Sequence, residues 1–487
     1  MFARTSVLSL ALLCIVSNTA ALDLDVQNQG NGDLFHLRDS KLTFTDSIKN
    51  AAKTLAKGVV TFYNDGVSAS GLPGLLPDPY FWYEGGVILN ALIEYSYLTG
   101  DTQYDSIVSE GIQAQLGEEE ATFMPMNQTA VIANDDQSIW ALAALTAAET
   151  GFSLPENRSW AEYAADVFNM QVQRWDAESC EGGLRWTIFS FQNGYEYKSM
   201  AANGDFFLLA ARLAQFTRNE TYSEWADKSL TWAKDRGLIS DSYEVYDGAL
   251  ASDDCADINQ IQWTYTHAVY TEGSAIMQNI VSTTRYSLIQ LHTDSHQQTD
   301  GAGKWTDAIQ GFVKSSDIFF KDDILTEVAC ENDGRCDIDM RAFKGIAARS
   351  YARAVIAAPS IAEPLTKKLE ASAKAAASAC DGESEDVKCT LAWADPNTDK
   401  WESATASDGN LNEVFDALAV VQSLLFSQAK PLTSNATEAG AGGNATQKES
   451  ASGTSGGAAP QETGAAGTIA ASVTAVLAVA FAAALSC

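Results

Sequence analysis

The stretch Phe123-Met-Pro-Met-Asn-Gln-Thr-Ala-Val-Ile-Ala-Asn-Asp-Asp-Gln-Ser-Ile-Trp140 holds the residues of this chain best placed to do chemistry. Asp135 and Asp136 are neighbours, but adjacency alone says little among 63 acidic residues, where Asp253-Asp254 and Asp322-Asp323 repeat the pair. Position sets them apart. Asn134 reads as an N-cap, and Gln137 to Glu149 reads as an Ala- and Leu-rich helix, with Trp140 near its start and most of its surface buried. Two carboxyls at the mouth of a buried helix are costly unless they are capped or used.

Other reactive constellations are absent or misplaced. The chain has no P-loop, no strand-linked GxGxxG and no HExxH. A GxSxG match at Gly453 to Gly457 lies in low-complexity sequence that cannot build a strand-turn-helix around a nucleophile. His292 and His296 could share a metal on one helix face, but no third ligand is fixed near them, so they read as unrelated surface residues. No metal or other cofactor is expected. The formal charge of −32, from 31 basic and 63 acidic residues, argues against nucleic acid and other phosphate partners.

The elements that must hold the aspartates are helical from about Thr45 to Ser427. Ser159 with Glu162 forms a capping-box pattern, followed by Trp160, Tyr163, Ala164, Val167 and Phe168 along one helix face. Val87 to Leu98, in contrast, is apolar almost all round and suits a helix buried on most sides. Leu98-Thr-Gly-Asp-Thr-Gln-Tyr104 and Phe216-Thr-Arg-Asn-Glu-Thr-Tyr222 echo each other as turns of αα-hairpins. About 400 residues at roughly 30 to 35 per helix and loop predict about twelve helices. Two helix types in two rings describe an all-α (α/α)6 toroid with its site where the inner helices begin. An α-solenoid shares the same periodicity.

The ends place the protein outside the cell. Arg4 and the apolar run Val7 to Val16, ending near Thr19 and Ala21, form a secretory signal over residues 1–21. A catalytic domain is expected over 22–430, a Ser/Thr/Gly/Ala-rich stalk over 431–457, and a GPI-anchor signal, removed on maturation, over 458–487. A tail-anchored helix is the competing reading of Ile469 to Leu485. Between the ends stand Cys180, Cys255, Cys330, Cys336, Cys380 and Cys389, an even number suited to disulfides. Short separations favour 330 with 336 and 380 with 389, leaving 180 with 255. Sequons at Asn127, Asn157, Asn219, Asn435 and Asn444 fit a glycosylated surface.

Asn134-Asp-Asp-Gln137 with Trp140, preceded by Phe123-Met-Pro, resembles the catalytic segment of glycoside hydrolase family 76, the endo-α-1,6-mannanases. The resemblance runs from Leu22 to Phe426. It takes in Pro79-Tyr-Phe-Trp-Tyr-Glu-Gly-Gly86, similar to the aromatic segment of the fungal GPI-anchored branch, together with Asn203-Gly-Asp-Phe-Phe207, Gln262-Trp-Thr-Tyr265, and Phe343-Lys-Gly345 with Arg349. The family is an (α/α)6 barrel. This chain departs from it at Thr266 and His267, where Asn often follows Trp-Thr-Tyr, and at Tyr83, where a second Trp is frequent.

By that similarity Asp135 is the nucleophile and Asp136 the general acid/base of a retaining glycosidase, whose two carboxyls stand about 5 to 5.5 Å apart. An acid near its working pH implies that repulsion and burial lift Asp136 well above Asp135. Trp82, Tyr83, Asn134, Gln137, Asn203, Asp205, Trp263 and Tyr265 are the expected substrate contacts, with Trp140, Trp186 and Asp339 as further candidates. Lys344 and Arg349 are equally suited to pairing with buried acids. The implied activity is cleavage of α-1,6-linked mannan, or of a GPI-anchor glycan with transfer to wall β-glucan, by a protein held on the outer leaflet through its own GPI lipid. A non-catalytic mannan-binding or structural wall protein is the alternative from another class.

Overall fold

Twelve α-helices, arranged as successive hairpins, close into a double-walled ring in a computed structural model that describes residues 36–117, 122–153, 158–290, 299–381, 387–395 and 410–434. The inner wall is α2 (Trp82–Thr99), α4 (Asn134–Thr150), α6 (Met200–Thr217), α8 (Thr264–Gln290), α10 (Phe343–Ala357) and α12 (Leu411–Ser423). Each inner helix packs on the next, and α12 returns to α2. The outer wall is α1 (His36–Ser70), α3 (Asp105–Ala114), α5 (Trp160–Gln173), α7 (Glu220–Asp235), α9 (Thr299–Ser315) and α11 (Ala362–Ser378). The expected (α/α)6 toroid is therefore present, and ring closure is what separates it from a solenoid with two free ends.

The two helix types divide between the walls as the apolar patterns require. In α2 every residue from Glu84 to Tyr95 is buried, whereas α5 hides one stripe including Trp160, Tyr163, Ala164, Val167 and Phe168. The Ser159–Glu162 capping box forms, with the Ser159 N–H donating to Glu162 Oε2 at 2.8 Å. Both echoing segments are hairpin turns with left-handed C-caps: Gly100 at φ 80° closes α2, and Arg218 at φ 62° closes α6.

Connections from outer to inner helices are long and carry the irregular structure. Strands β1 (Tyr197–Ser199), β2 (Gly248–Leu250) and β3 (Ile258–Asn259) form an antiparallel sheet there, pairing Tyr197 with Leu250 and Gly248 with Asn259. Disulfides join Cys180 to Cys255, Cys330 to Cys336 and Cys380 to Cys389, the pairing favoured by sequence separation. Asn127 and Asn219 are exposed.

The fold also holds its C-terminal segment past the expected domain end at Lys430. Thr433 donates its N–H to the Glu149 carbonyl at 2.7 Å, at the far end of α4. The expected secretion signal, the low-complexity tail from residue 435, His292, His296, Asn157, Asn435 and Asn444 lie outside the described residues. Among the described residues no helix is long and apolar enough to cross a membrane.

Inside the ring, six charges from five inner helices interlock. Arg353 reaches Glu94, Glu149 and Glu272; Arg349 pairs with Glu94 at 2.6 Å, and Arg212 with Glu149 at 2.7 Å. Removing one member of such a cluster strands its partners as uncompensated buried charges. Arg353→Met is expected to destabilise the fold by about 3 to 5 kcal/mol, read as a fall in the denaturation midpoint. A midpoint within error of the wild type would remove Arg353 from the framework.

Candidate active site

Asp135 and Asp136 are the second and third residues of α4. The N-cap is Ala133, in extended conformation, and not Asn134. The Ala133 N–H donates to Asp136 Oδ2 at 2.8 Å, so one of the two carboxylates caps the helix itself. Asp135 Oδ1 accepts the Asp136 N–H at 3.1 Å. Asn134 is displaced from capping because its own N–H donates to the Trp186 carbonyl, and its side chain bridges Arg174 and the Arg185 carbonyl.

Glycines let α2 approach this helix. A side chain at Gly86 would come within 2.9 Å of the Trp140 ring, which is sandwiched between Trp82 and Phe123 at centroid distances of 5.4 and 6.0 Å. Trp82 is buried and donates its Nε1–H to Gln115 at 2.8 Å. Trp82 and Trp140 are thus a stacked wall behind the carboxylates, a correction to their expected use as sugar-facing surfaces. Asn203 and Gln137 are corrected likewise. Asn203 is fully buried and exchanges hydrogen bonds with Leu184 while donating to the Ser199 carbonyl. Gln137 bridges the Thr122 carbonyl and Arg174. These amides position loops and have no free edge for a hydroxyl.

The groups gathered around the pair come from other inner helices. Asp205 on α6 accepts a short hydrogen bond from the Tyr265 hydroxyl of α8, and both side chains are buried. Tyr83 on α2 lies in the field of Asp135 and Asp136, and its hydroxyl donates to the Asp339 carbonyl at 3.3 Å. Trp263 stands half-exposed before α8, with its Nε1–H on Asp247 at 2.7 Å. Beneath them a cavity of about 40 Å³, lined by Asn90, Asp205, Tyr265 and Glu272 among others, leads toward the ion cluster.

Both carboxyls of the pair are pushed above the usual carboxylate range. Burial, the Asp136 charge and Asp205 push the Asp135 carboxyl well above the usual range. Burial lifts Asp136 as well, to about 6, against the stabilisation of its anion by the Ala133 N–H. The helix mouth favours an anion, and backbone N–H groups stabilise both carboxylates against the burial that raises them. Because the groups interact strongly, the proton belongs to the pair and not to one residue.

Sequence reasoning missed two supporting residues. Arg174 donates to Asn134 Oδ1 at 2.9 Å and Gln137 Oε1 at 2.7 Å. Nothing in its surroundings marks it, since its partners are 37 and 40 residues away. Glu84 caps α2 through the Phe81 N–H and also accepts from Asn412; burial raises it to about 8. Its place three residues after Phe81 was the available signal. The departures at Thr266 and His267 stay inside the wall. Burial lowers His267 to about 3, and its ring bonds Ser315 and Tyr351. Lys344 and Arg349 pair with Glu331 and Glu94.

The profile of glycosyl hydrolase family 76 matches residues 47–436. The chain is 33% identical over 396 residues to the mannan endo-1,6-alpha-mannosidase DFG5 of Saccharomyces cerevisiae, covering 80% of this chain and 81% of that one. It is 36% identical over 353 residues to DCW1 of the same yeast, covering 72% and 74%. Among solved structures, Dfg5 from Chaetomium thermophilum in complex with glucosamine matches with a TM-score of 0.71 and 34% identity, over 80% of this chain and 93% of that one. The GH76A alpha-1,6-mannanase of Salegentibacter shares the fold with a TM-score of 0.57 and 18% identity, over 77% and 98%. With its profile spanning most of the chain and its aspartate pair at the mouth of an inner helix, this protein belongs to glycosyl hydrolase family 76.

Proposed function

We propose that the protein is an endo-acting, retaining mannan endo-1,6-alpha-mannosidase of the cell surface, with Asp135 as nucleophile and Asp136 as general acid/base. The observation that carries this reading is a pair of buried carboxyls at one helix mouth, both pushed upward by burial. Such a pair holds a single proton over a wide pH range. In the productive state that proton sits on Asp136 and the negative charge on Asp135. An electron-poor anomeric carbon in front of Asp135 favours that arrangement. Asp135 then attacks the anomeric carbon, while Asp136 passes its proton to the departing glycosidic oxygen. In the second half Asp136 takes a proton from the incoming hydroxyl, which attacks the same carbon and frees Asp135.

The incoming hydroxyl belongs to water in hydrolysis and to a sugar in transfer. The relatives named as mannan endo-1,6-alpha-mannosidases and the expected GPI signal support a role in cell-wall biogenesis, in which the mannose-containing glycan of a GPI-anchored mannoprotein is the donor and wall β-glucan the acceptor. The protein itself is held on the outer leaflet by its own GPI lipid.

An acceptor assay tests the reading. Purified protein is incubated with α-1,6-mannan or a released GPI glycan, with and without β-glucan oligosaccharide. Turnover is expected with wild type, with labelled transfer product when the acceptor is present. Both Asp135→Asn and Asp136→Asn should lose activity by about 10³-fold or more, and Asp135→Asn should form no glycosyl-enzyme. Retention of mannan without turnover would instead identify a binding protein. The pair also predicts a bell-shaped pH dependence of kcat/KM. Activity rises as the first proton leaves near pH 6 and falls as the second leaves at higher pH; a flat profile between pH 4 and 9 would exclude a one-proton pair.

A further inference from the structure

The start of α8 has no cap of its own. Trp263 holds the N-cap place, its carbonyl accepting the His267 N–H at 3.2 Å, and an indole has no acceptor to offer the first turn. That turn carries no acidic residue either. Helices α2, α4 and α6 differ, since Glu84, Asp136 and Ser199 cap them from within three residues. At α8 the cap comes from 63 residues away: Glu327 Oε2 accepts the Thr264 N–H at 3.1 Å and the Thr264 hydroxyl at 2.6 Å.

This cap is a costly one. Glu327 is fully buried, burial raises its carboxyl to about 8, and among the described residues its Oε1 has no hydrogen-bond partner. A serine or aspartate at position 263 would cap the helix locally, but that position is given to the half-exposed Trp263 ring. The remote carboxyl is held by a tight loop. The Glu327 N–H donates to Glu331 Oε2 at 2.9 Å, the Glu327 carbonyl accepts the Glu331 N–H at 2.9 Å, and Lys344 Nζ meets Glu331 at 3.0 Å. The Cys330–Cys336 disulfide closes that loop and packs with Leu391 against Trp263.

We propose that Glu327 is a positioning residue for the reaction, acting through Tyr265. Thr264, which it holds, stands between Trp263 and Tyr265, whose polar tips are tied to Asp247 and Asp205. Phe343, the first residue of α10, packs on both rings at centroid distances of 5.5 Å. Glu327 supplies the remaining anchor, at the backbone root of the two side chains. Its effect reaches the aspartate pair because Asp205 is among the groups acting on Asp135, and the Tyr265 bond to Asp205 is set by where α8 begins. The kinetic consequence rests on the mannosidase reading of the site; the cap itself does not.

The test uses the full chain and two readouts. Amide hydrogen exchange over residues 263–267 should quicken about fivefold or more in Glu327→Leu and stay near wild type in Glu327→Gln, whose amide oxygen still accepts from Thr264. On α-1,6-mannan, kcat/KM should fall about tenfold in Glu327→Leu and be largely restored in Glu327→Gln. In a Tyr265→Phe background, Glu327→Leu should cost less than about twofold more, because residues that act through one contact are not additive; a merely structural loss would multiply. Thr264→Val removes the hydroxyl and keeps the volume, so it should give a smaller change in both readouts and carries the test if Glu327→Leu does not fold. Exchange unchanged in the leucine and valine variants, a glutamine variant no better than leucine, or additive losses with Tyr265→Phe would each overturn the proposal. A wild type without turnover would count against the mannosidase reading, and the exchange result would still decide the cap.

Discussion

Arg353 sits where the inner wall would otherwise be weakest. A ring of six helices has an axis that apolar side chains cannot fill evenly, and here the axis is crossed by a guanidinium facing Glu94, Glu149 and Glu272 from α2, α4 and α8. Arg349 and Arg212 complete the set, giving three positive and three negative groups. Burying six charges is expensive, and hydrophobic substitutes of the same volume could hold a core equally well. What the charges add is register: a guanidinium satisfied by three carboxylates from three helices tolerates little sliding of any of them. The sixth inner helix is fitted by other means, through Arg341 on Glu413, Asn412 on Glu84, and the Gly345 N–H on Asp416.

Register at the axis fixes what happens at the mouth. Each inner helix begins on the same face, so Tyr83, Asp135, Asp205 and Tyr265 converge although 182 residues of sequence separate the first from the last. Helix N-termini favour anions, yet Asp135, Asp136 and Asp205 all titrate above the ordinary carboxylate range. Burial and mutual repulsion outweigh the helix ends. Arg212, Arg349 and Arg353 are committed deeper in the ring, where each faces a glutamate, and Arg174 at the mouth is held by the amide oxygens of Asn134 and Gln137.

The fold was legible because helix type is written in local periodicity. The all-round apolar Val87–Leu98 and the one-sided Trp160–Phe168 sorted themselves into inner and outer walls, and the echoing turns marked hairpins. Ring closure was not local and came only from the contact of α12 with α2. At the site, position along the chain identified the aspartates, but it could not say which atoms would already be engaged. Asn134, Gln137 and Asn203 have the side chains of sugar-binding residues and are consumed by Arg174, Leu184 and backbone carbonyls. Trp82 has the ring of a sugar platform, but it lies behind Trp140. A one-residue shift of the helix start, with Ala133 and not Asn134 at the N-cap, handed the capping role to Asp136.

The same distinction explains why exposed aromatics carry more information than buried ones here. A ring in the wall of an all-α protein is explained by packing alone, as Trp82, Phe123 and Trp140 are. A ring that is held rigid and still left in water is not explained by the fold, because ordering it gains little burial. Trp186 on Gly194 and Phe191 on Phe189 are of that second kind. They stand on the loops whose hydrogen bonds also set the start of α4.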